Sequence, residues 1–238
     1  MSILSILIPV YNEENLLEQS IDRIIAASLP PSFEIEIIIV DDASTDSTPE
    51  IIRKLCRKYH NITAIMQPQN KGKGAAIRLA INIAKGDYII FQDADLEYNP
   101  NDYYDLLIPL IENKADVVYG SRLCKSDSKK VTFSYYKFGN KFLTFIVNFI
   151  TGLKLTDMET CYKIFRSNII KSIPLQSNRF EIEIEITVKI AKQKWRISEV
   201  PINYNGRDFK SGKKLTWKDG IIAIWTLLKY KIFYRSET

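Results

Sequence analysis

Cysteine and histidine are scarce in this chain, with three Cys and a single His among 238 residues. Cys56, Cys124 and Cys161 are widely spaced and form no CxxC or Cys/His pattern. That excludes a structural zinc site, and an odd set of thiols suits a reducing cytosol. Nine Gly and nine Pro are too few for a low-complexity chain, and no internal repeat is visible. No run reaches the roughly 18 apolar residues that a membrane-spanning helix needs. The opening MSILSILIPVYNEEN is short, lacks a basic leader and runs into acids, so it reads as a first strand rather than a signal peptide. Zinc-finger spacing, an RNP-type aromatic motif and a long basic helix are also missing, which argues against nucleic acid as a partner.

What is present is material for one large core. Hydrophobic residues make up 46% and aromatics 11% of the chain, and 238 residues fit a single domain. The formal charge of +5 is mild, with Lys and Arg densest over residues 125–137 and 207–218. Such groups serve either as a solvated face or as attraction for an anion. A phosphorylated substrate or an anionic membrane surface fits the second reading.

The hydropathy pattern alternates strands with helices. Residues 3–10, 34–40, 62–66, 87–92 and 116–120 are short apolar runs rich in β-branched residues, read as strands. Between them, 15–27, 50–59, 75–84 and 100–113 carry helical spacing, with Pro30-Pro31 stopping the first and Ser44 to Thr48 leading into the second. This order predicts an α/β fold with a mainly parallel sheet. Residues 179–190 (RFEIEIEITVKI) alternate like a strand yet are long enough for a helix, so that segment stays mixed. Residues 197–204 read as strand and 221–234 as helix.

Ligands of such sheets sit beyond the C-terminal strand ends, where Tyr11, Asn12, Asp41, Asp42, Asp93 and Asp95 all fall. Asp93-Ala94-Asp95 places two carboxylates one residue apart at the end of a buried strand. Adjacent anions repel and burial adds cost, which a hard divalent cation, Mg²⁺ or Mn²⁺, resolves. The alternative is an exposed loop with an Asp capping the Asn99-Pro100 segment. Asp41-Asp42 suits a ribose. Lys71-Gly72-Lys73-Gly74 before a helix suits an anion, or is an ordinary glycine turn with exposed lysines.

Taken in order, IPVYNEE (8–14), VDDASTD (40–46), Gly72-Lys73-Gly74, Asp93-Ala94-Asp95-Leu96 and Gly120-Ser121-Arg122 resemble the GT-A-fold family 2 glycosyltransferases, in the dolichyl/polyprenyl-phosphate mannose or glucose synthase branch. DMETCYK (157–163) and Glu199-Val200-Pro201-Ile202 through Arg207 extend the likeness over nearly the whole chain. The resemblance implies an inverting, Mg²⁺- or Mn²⁺-dependent hexosyltransferase. It would take a UDP- or GDP-sugar and deliver the sugar to a polyprenyl phosphate, with residues 1–122 as donor half, 123–220 as acceptor half and 221–238 as an amphipathic helix. Pro9, Tyr11, Asn12 and Glu13 would border the base, Asp41 or Asp42 the base or ribose, and Lys73 the nucleotide. Asp93 and Asp95 would hold nucleotide and metal, and Arg122 the sugar or acceptor phosphate. Glu97 stands where these synthases often carry Gln.

The acceptor separates two expectations. A hydroxyl needs a carboxylate base, for which Asp157 is the candidate, and the target would be a cell-surface glycan. A lipid phosphate needs cations instead: Arg122, Lys137, Arg207, Lys213 and Lys214 form the expected clamp, with Glu183 as a further acceptor-side residue. Residues 138–149 and 221–234 mix aromatics with lysines, as interfacial helices do. Related enzymes often carry C-terminal spanning helices that this chain does not reach. It is therefore expected to sit peripherally at the cytoplasmic face of a membrane, to rely on a partner membrane protein or homodimer, or to use a soluble acceptor. A silent nucleotide-sugar-binding protein is the expectation from outside enzymology.

Overall fold

The computed structural model describes residues 1–124, 135–206 and 217–234, with side chains described over 1–124, 139–206 and 225–234. Seven strands form one sheet: β1 (Ser2–Val10), β2 (Phe33–Asp41), β3 (Ile62–Met66), β4 (Tyr88–Phe91), β5 (Val117–Ser121), β6 (Lys163–Arg166) and β7 (Ile197–Pro201). The helices are α1 (Leu17–Ile25), α2 (Thr48–Lys58), α3 (Lys73–Ile83), α4 (Tyr103–Ile111), α5 (Tyr135–Thr151), α6 (Ser167–Ser172), α7 (Ile182–Lys192) and α8 (Trp217–Phe233). The expected strands all form, and the mixed segment resolves as the helix α7.

The strand order is β3-β2-β1-β4-β6-β5-β7. Pairings within β3-β2-β1-β4 and between β5 and β7 are parallel, whereas β6 runs antiparallel to both neighbours. The order turns at β1 and β4, which opens the crevice where α/β sheets bind ligands. Because β6 is reversed, its N-terminal residue Lys163 lies at the same edge as the C-terminal ends of β4 and β5. The DMETCYK segment thereby reaches the strand-end loops.

The central strands read as unbroken apolar runs because both faces are covered. Leu4, Ile6 to Ile8, Ile37 to Val40 and Ile89 to Phe91 are all solvent-inaccessible. Helix α7 is buried along nine consecutive residues, Ile182 to Ile190, two glutamates and a lysine included. Its Ile/Glu alternation mimics a strand, but the charged positions find partners: Glu183 with Lys163, and Glu185 with Lys189 at 2.5 Å. Lys189 also lies over the rings of Tyr230 and Tyr234 at 4.4 and 4.8 Å, which ties α8 to α7.

Candidate active site

Four strand ends build one side of the crevice. After β1, Asn12 adopts a positive φ of 54°, and its Oδ1 accepts from Thr45 N at 2.8 Å. Asn12 N donates to Ser44 Oγ and Glu13 N to Thr48 Oγ1, each at 2.9 Å. The loops after β1 and β2 are therefore laced together, and this fixes Pro9, Tyr11, Asn12 and Glu13 along one rim of the crevice.

Asp41 and Asp42 are buried, at 2% and 4% exposure, and each has internal work. Asp41 accepts from Ser44 N and, at 2.5 Å, from Ser44 Oγ. Asp42 accepts from Gln67 Nε2 at 2.8 Å and from the backbone N–H groups of Lys71 and Gly72 at 2.7 Å each. The Lys71–Gly74 turn was expected to cradle a ligand's anion. Two of its N–H groups instead hold the protein's own carboxylate. Gly72, at φ 96°, and Gly74 are needed because the 177–179 segment crosses them: a Cβ would meet Asn178 O at 2.5 Å and Ser177 O at 2.6 Å.

Asp93 and Asp95 follow β4, both part-exposed. Gln92 sets their loop, donating from Nε2 to Asp93 O at 2.7 Å while its Oε1 accepts from Tyr103 and Tyr162 hydroxyls at 2.6 and 2.7 Å. Asp95 Oδ1 accepts from Glu97 N at 3.0 Å. The alternative role as helix cap falls to Asn99, whose side chain accepts from Asn101 N. Lys73, the first residue of α3, places its ammonium 2.8 Å from Asp93 Oδ1. Burial works to raise the Asp93 pKa, but Lys73 overrides it and holds the carboxyl below its ordinary value.

Across the crevice, Arg122 directly follows β5 and pairs with Asp157, which is wholly buried. Arg122 Nε and Nη2 donate to the two Asp157 oxygens at 2.7 Å each, and Arg122 N donates at 3.0 Å. Asn140 Nδ2 adds a bond of 2.8 Å. Burial would raise the Asp157 pKa; Arg122 and Asn140 hold it below the ordinary value. Both oxygens of Asp157, the candidate base for a hydroxyl acceptor, are thus engaged by a guanidinium. Its place on the chain is set by Glu199 of β7, which accepts from Thr156 N and Asp157 N.

Arg122 Nη1 donates to Tyr98 Oη at 3.3 Å, and its guanidinium lies 5.1 Å from the Tyr204 ring centre. Tyr204 in turn donates to Glu97 Oε2 at 2.5 Å. Glu97 is therefore anchored through one carboxylate oxygen. It fastens the loop after the aspartate pair to the segment that leads to Arg207.

Glu183 sits on α7 with its carboxylate toward Lys163 at 2.5 Å and Lys73 at 3.5 Å. Lys137 falls on α5, outside the described side chains, and Arg207, Lys213 and Lys214 lie outside the described residues. Sequence reading missed Gln92, Tyr98, Asn140, Lys163 and Glu159. Lys163 and Glu159 were inside a quoted motif without a role; the other three carried no signal beyond being polar or aromatic. Burial, with Glu183 and Asp157 nearby, pushes the Glu159 pKa up to about 7 despite Lys163 and Arg122.

A family model for glycosyl transferase family 2 matches residues 5–173. The chain is 28% identical over 245 residues to a dolichyl-phosphate beta-glucosyltransferase of Trichomonas vaginalis, covering 97% of this chain and 73% of that one. It is 31% identical over 201 residues to an undecaprenyl-phosphate 4-deoxy-4-formamido-L-arabinose transferase of Edwardsiella ictaluri, covering 79% of this chain and 60% of that one. Among solved structures, the glucosyl-3-phosphoglycerate synthase of Mycobacterium tuberculosis, in complex with Mn²⁺, UDP and phosphoglyceric acid, superposes with a TM-score of 0.70. That pair is 19% identical over 99% of this chain and 80% of that one, a likeness of fold. With the GT-A sheet in place and most of its length matched, the chain belongs to glycosyl transferase family 2 and is an enzyme of the glycosyltransferase type.

Proposed function

We propose that this enzyme moves a hexose from a UDP- or GDP-sugar to polyprenyl or dolichyl phosphate, with inversion at the anomeric carbon. The observation that carries the reading is the Arg122–Asp157 pair. The acid best placed to act as base is sequestered at 0% exposure in bonds to a guanidinium. An acceptor that arrives as an anion needs no base; it needs an oriented cation. The names of the two curated relatives, one a dolichyl-phosphate and the other an undecaprenyl-phosphate transferase, support the same class.

The donor half suits a divalent cation. Asp93 and Asp95 are hard oxygen ligands on one loop, of the type Mg²⁺ and Mn²⁺ take. Among the described residues no group of three or more His, Cys, Asp or Glu forms a ready cage, so diphosphate oxygens and water would complete the shell. Mn²⁺ in the synthase of the same fold supports this. When bound, the cation stabilises negative charge on the departing nucleoside diphosphate. The protein's own residues do the rest. The loops carrying Pro9, Tyr11, Asn12, Glu13, Asp41 and Asp42 shape the nucleoside side, Lys73 adds positive charge beside Asp93, and Asp157 and Tyr98 orient Arg122 toward the acceptor. Lys137, Arg207 and Lys213 are the further cations proposed for the acceptor phosphate.

The acceptor's lipid requires a membrane surface. Helix α5 turns Phe142, Phe145 and Phe149 outward, and α8 turns Trp225, Leu228 and Ile232 outward; each set is spaced i, i+3, i+7 and exposed by 46–82%. Lys141, Lys229 and Lys231 flank them. Among the described residues no helix is long and apolar enough to cross a membrane, and we read this surface as a peripheral contact.

A donor screen with and without polyprenyl phosphate, following nucleoside diphosphate release and radiolabel in the lipid phase, tests the reading. Lipid-phase label that needs the metal and vanishes with EDTA is expected. Unchanged activity of Asp95→Ala would sink the metal role. A hydroxyl acceptor would instead require a carboxylate base, and Asp157→Asn or Glu159→Gln would then abolish turnover.

A further inference from the structure

A run of alternating charges leads inward from the aspartate pair: part-exposed Asp93, then Lys73, Glu183 and Lys163. Lys73 is shared unequally. Its ammonium is 2.8 Å from Asp93 Oδ1 and 3.5 Å from Glu183 Oε1. Glu183 is only 4% exposed, and its two oxygens differ. Oε2 accepts from Lys163 at 2.5 Å, while Oε1 is buried without a hydrogen bond. A buried carboxylate oxygen lacking a donor costs free energy, and it persists here within ion-pair range of a lysine engaged elsewhere. Lys163 is held by Thr160 O as well as Glu183, whereas Lys73 is the ammonium that lies within reach of both carboxylates.

We propose that Lys73 is an exchangeable counter-ion: it neutralises Asp93 while the donor site is empty and passes to Glu183 Oε1 when a metal cation takes Asp93. Glu183 is then a positioning residue for the donor half, with one oxygen reserved as the second berth. The charges are consistent. With Lys73 on Asp93, two lysines balance two carboxylates. With a divalent cation on Asp93 and both lysines on Glu183, the cluster carries two extra positive charges, to which a nucleoside diphosphate is the natural complement. Metal and diphosphate would therefore bind together better than either alone. The inference rests on the aspartate pair being the metal site.

Mn²⁺ binding to the whole chain, read as loss of the free-ion EPR signal, separates the possibilities without any turnover. Four proteins are compared: wild type, Glu183→Gln, Lys73→Met and the double variant. With Lys73 present, Glu183→Gln should weaken Mn²⁺ binding about tenfold, because the displaced ammonium loses its berth. With Lys73→Met, which removes the competitor, Mn²⁺ should bind more tightly than to wild type. In that background the effect of Glu183→Gln should shrink to about threefold or less. Equal effects of Glu183→Gln in the two backgrounds, or no tightening in Lys73→Met, overturn the exchange while leaving the metal site standing. No Mn²⁺ binding to wild type, with or without nucleoside diphosphate, rejects the metal site and the exchange together. If Glu183→Gln fails to fold because Lys163 loses its partner, Glu183→Gln/Lys163→Met removes both partners and is read in its place.

Discussion

Replacing Asp157 by Asn tests the reading of the acceptor side most directly. The carboxylate accepts three bonds from Arg122 at 2.7–3.0 Å and one from Asn140 at 2.8 Å. An amide keeps one accepting oxygen and turns an NH₂ toward a donor, so one or two charge-assisted bonds are lost, each about 1.5–3 kcal/mol. Breaking a fully buried pair costs about 3–5 kcal/mol. The Arg122 side chain is 19% exposed, so water recovers part of that and a loss of about 3 kcal/mol is expected. For a chain of this size, that lowers Tm by roughly 6–12 °C, measurable by circular dichroism. The folded pKa of Asp157 is depressed, so the wild-type advantage is complete above the ordinary carboxylate range. It is lost as pH falls through the depressed value, where the two proteins converge. In steady-state assays the KM for the phosphate acceptor should rise while the pH profile of kcat keeps its shape. A variant with wild-type Tm whose kcat falls by orders of magnitude would refute the argument and restore Asp157 as a base.

Three further outcomes follow from single contacts. The Glu159 pKa is raised to about 7, so the folded state holds its proton longer than the unfolded one and this group costs stability as pH climbs from about 4.5 to 7. Glu159→Gln should gain about 2 kcal/mol on wild type at pH 8 relative to pH 5 by urea unfolding; a constant difference contradicts this. Gly74→Ala drives a Cβ to 2.6 Å from Ser177 O and 2.9 Å from Arg179 O, with an expected cost of about 1–3 kcal/mol. Gly139→Ala, with nothing among the described residues within 4 Å of its Cβ on helix α5, should instead stabilise by up to about 1 kcal/mol, and reversal of that order in thermal melts would show the contact to be wrong. Phe145→Ser with Trp225→Ser removes two side chains exposed by 67% and 62%. Co-sedimentation with anionic vesicles should fall severalfold while the unfolding midpoint holds, and undiminished sedimentation would exclude this face.

The strand ends that carry Asp41, Asp42 and Asp93 were legible because these elements are local. Apolar β-branched runs ending in acids mark strands and their C-terminal ends without reference to the rest of the molecule, as Val40-Asp41-Asp42 and Phe91-Gln92-Asp93 show. Such ends are where a parallel sheet places its ligands. Periodicity likewise set the helices that follow. It failed for Ile182 to Ile190, since a two-residue alternation is compatible with a helix once Lys163 and Lys189 compensate the glutamates. Lys189 lies one helical turn beyond Glu185, whereas Lys163 is brought to Glu183 only by the tertiary fold.

What the sequence by itself determined is the α/β order, the family and the strand ends that carry the paired acids. Tertiary structure alone decided what those residues do to one another. Asp42 faces the N–H groups of Lys71 and Gly72, Glu97 faces Tyr204, Asp157 grips Arg122 and Glu183 reaches Lys73, over separations of 29 to 110 residues. The reversed β6 brings Asp157 to Lys163 to the same edge as Asp93. A carboxylate's role depends on which donor reaches it in the fold, and no spacing along the chain encodes that distance.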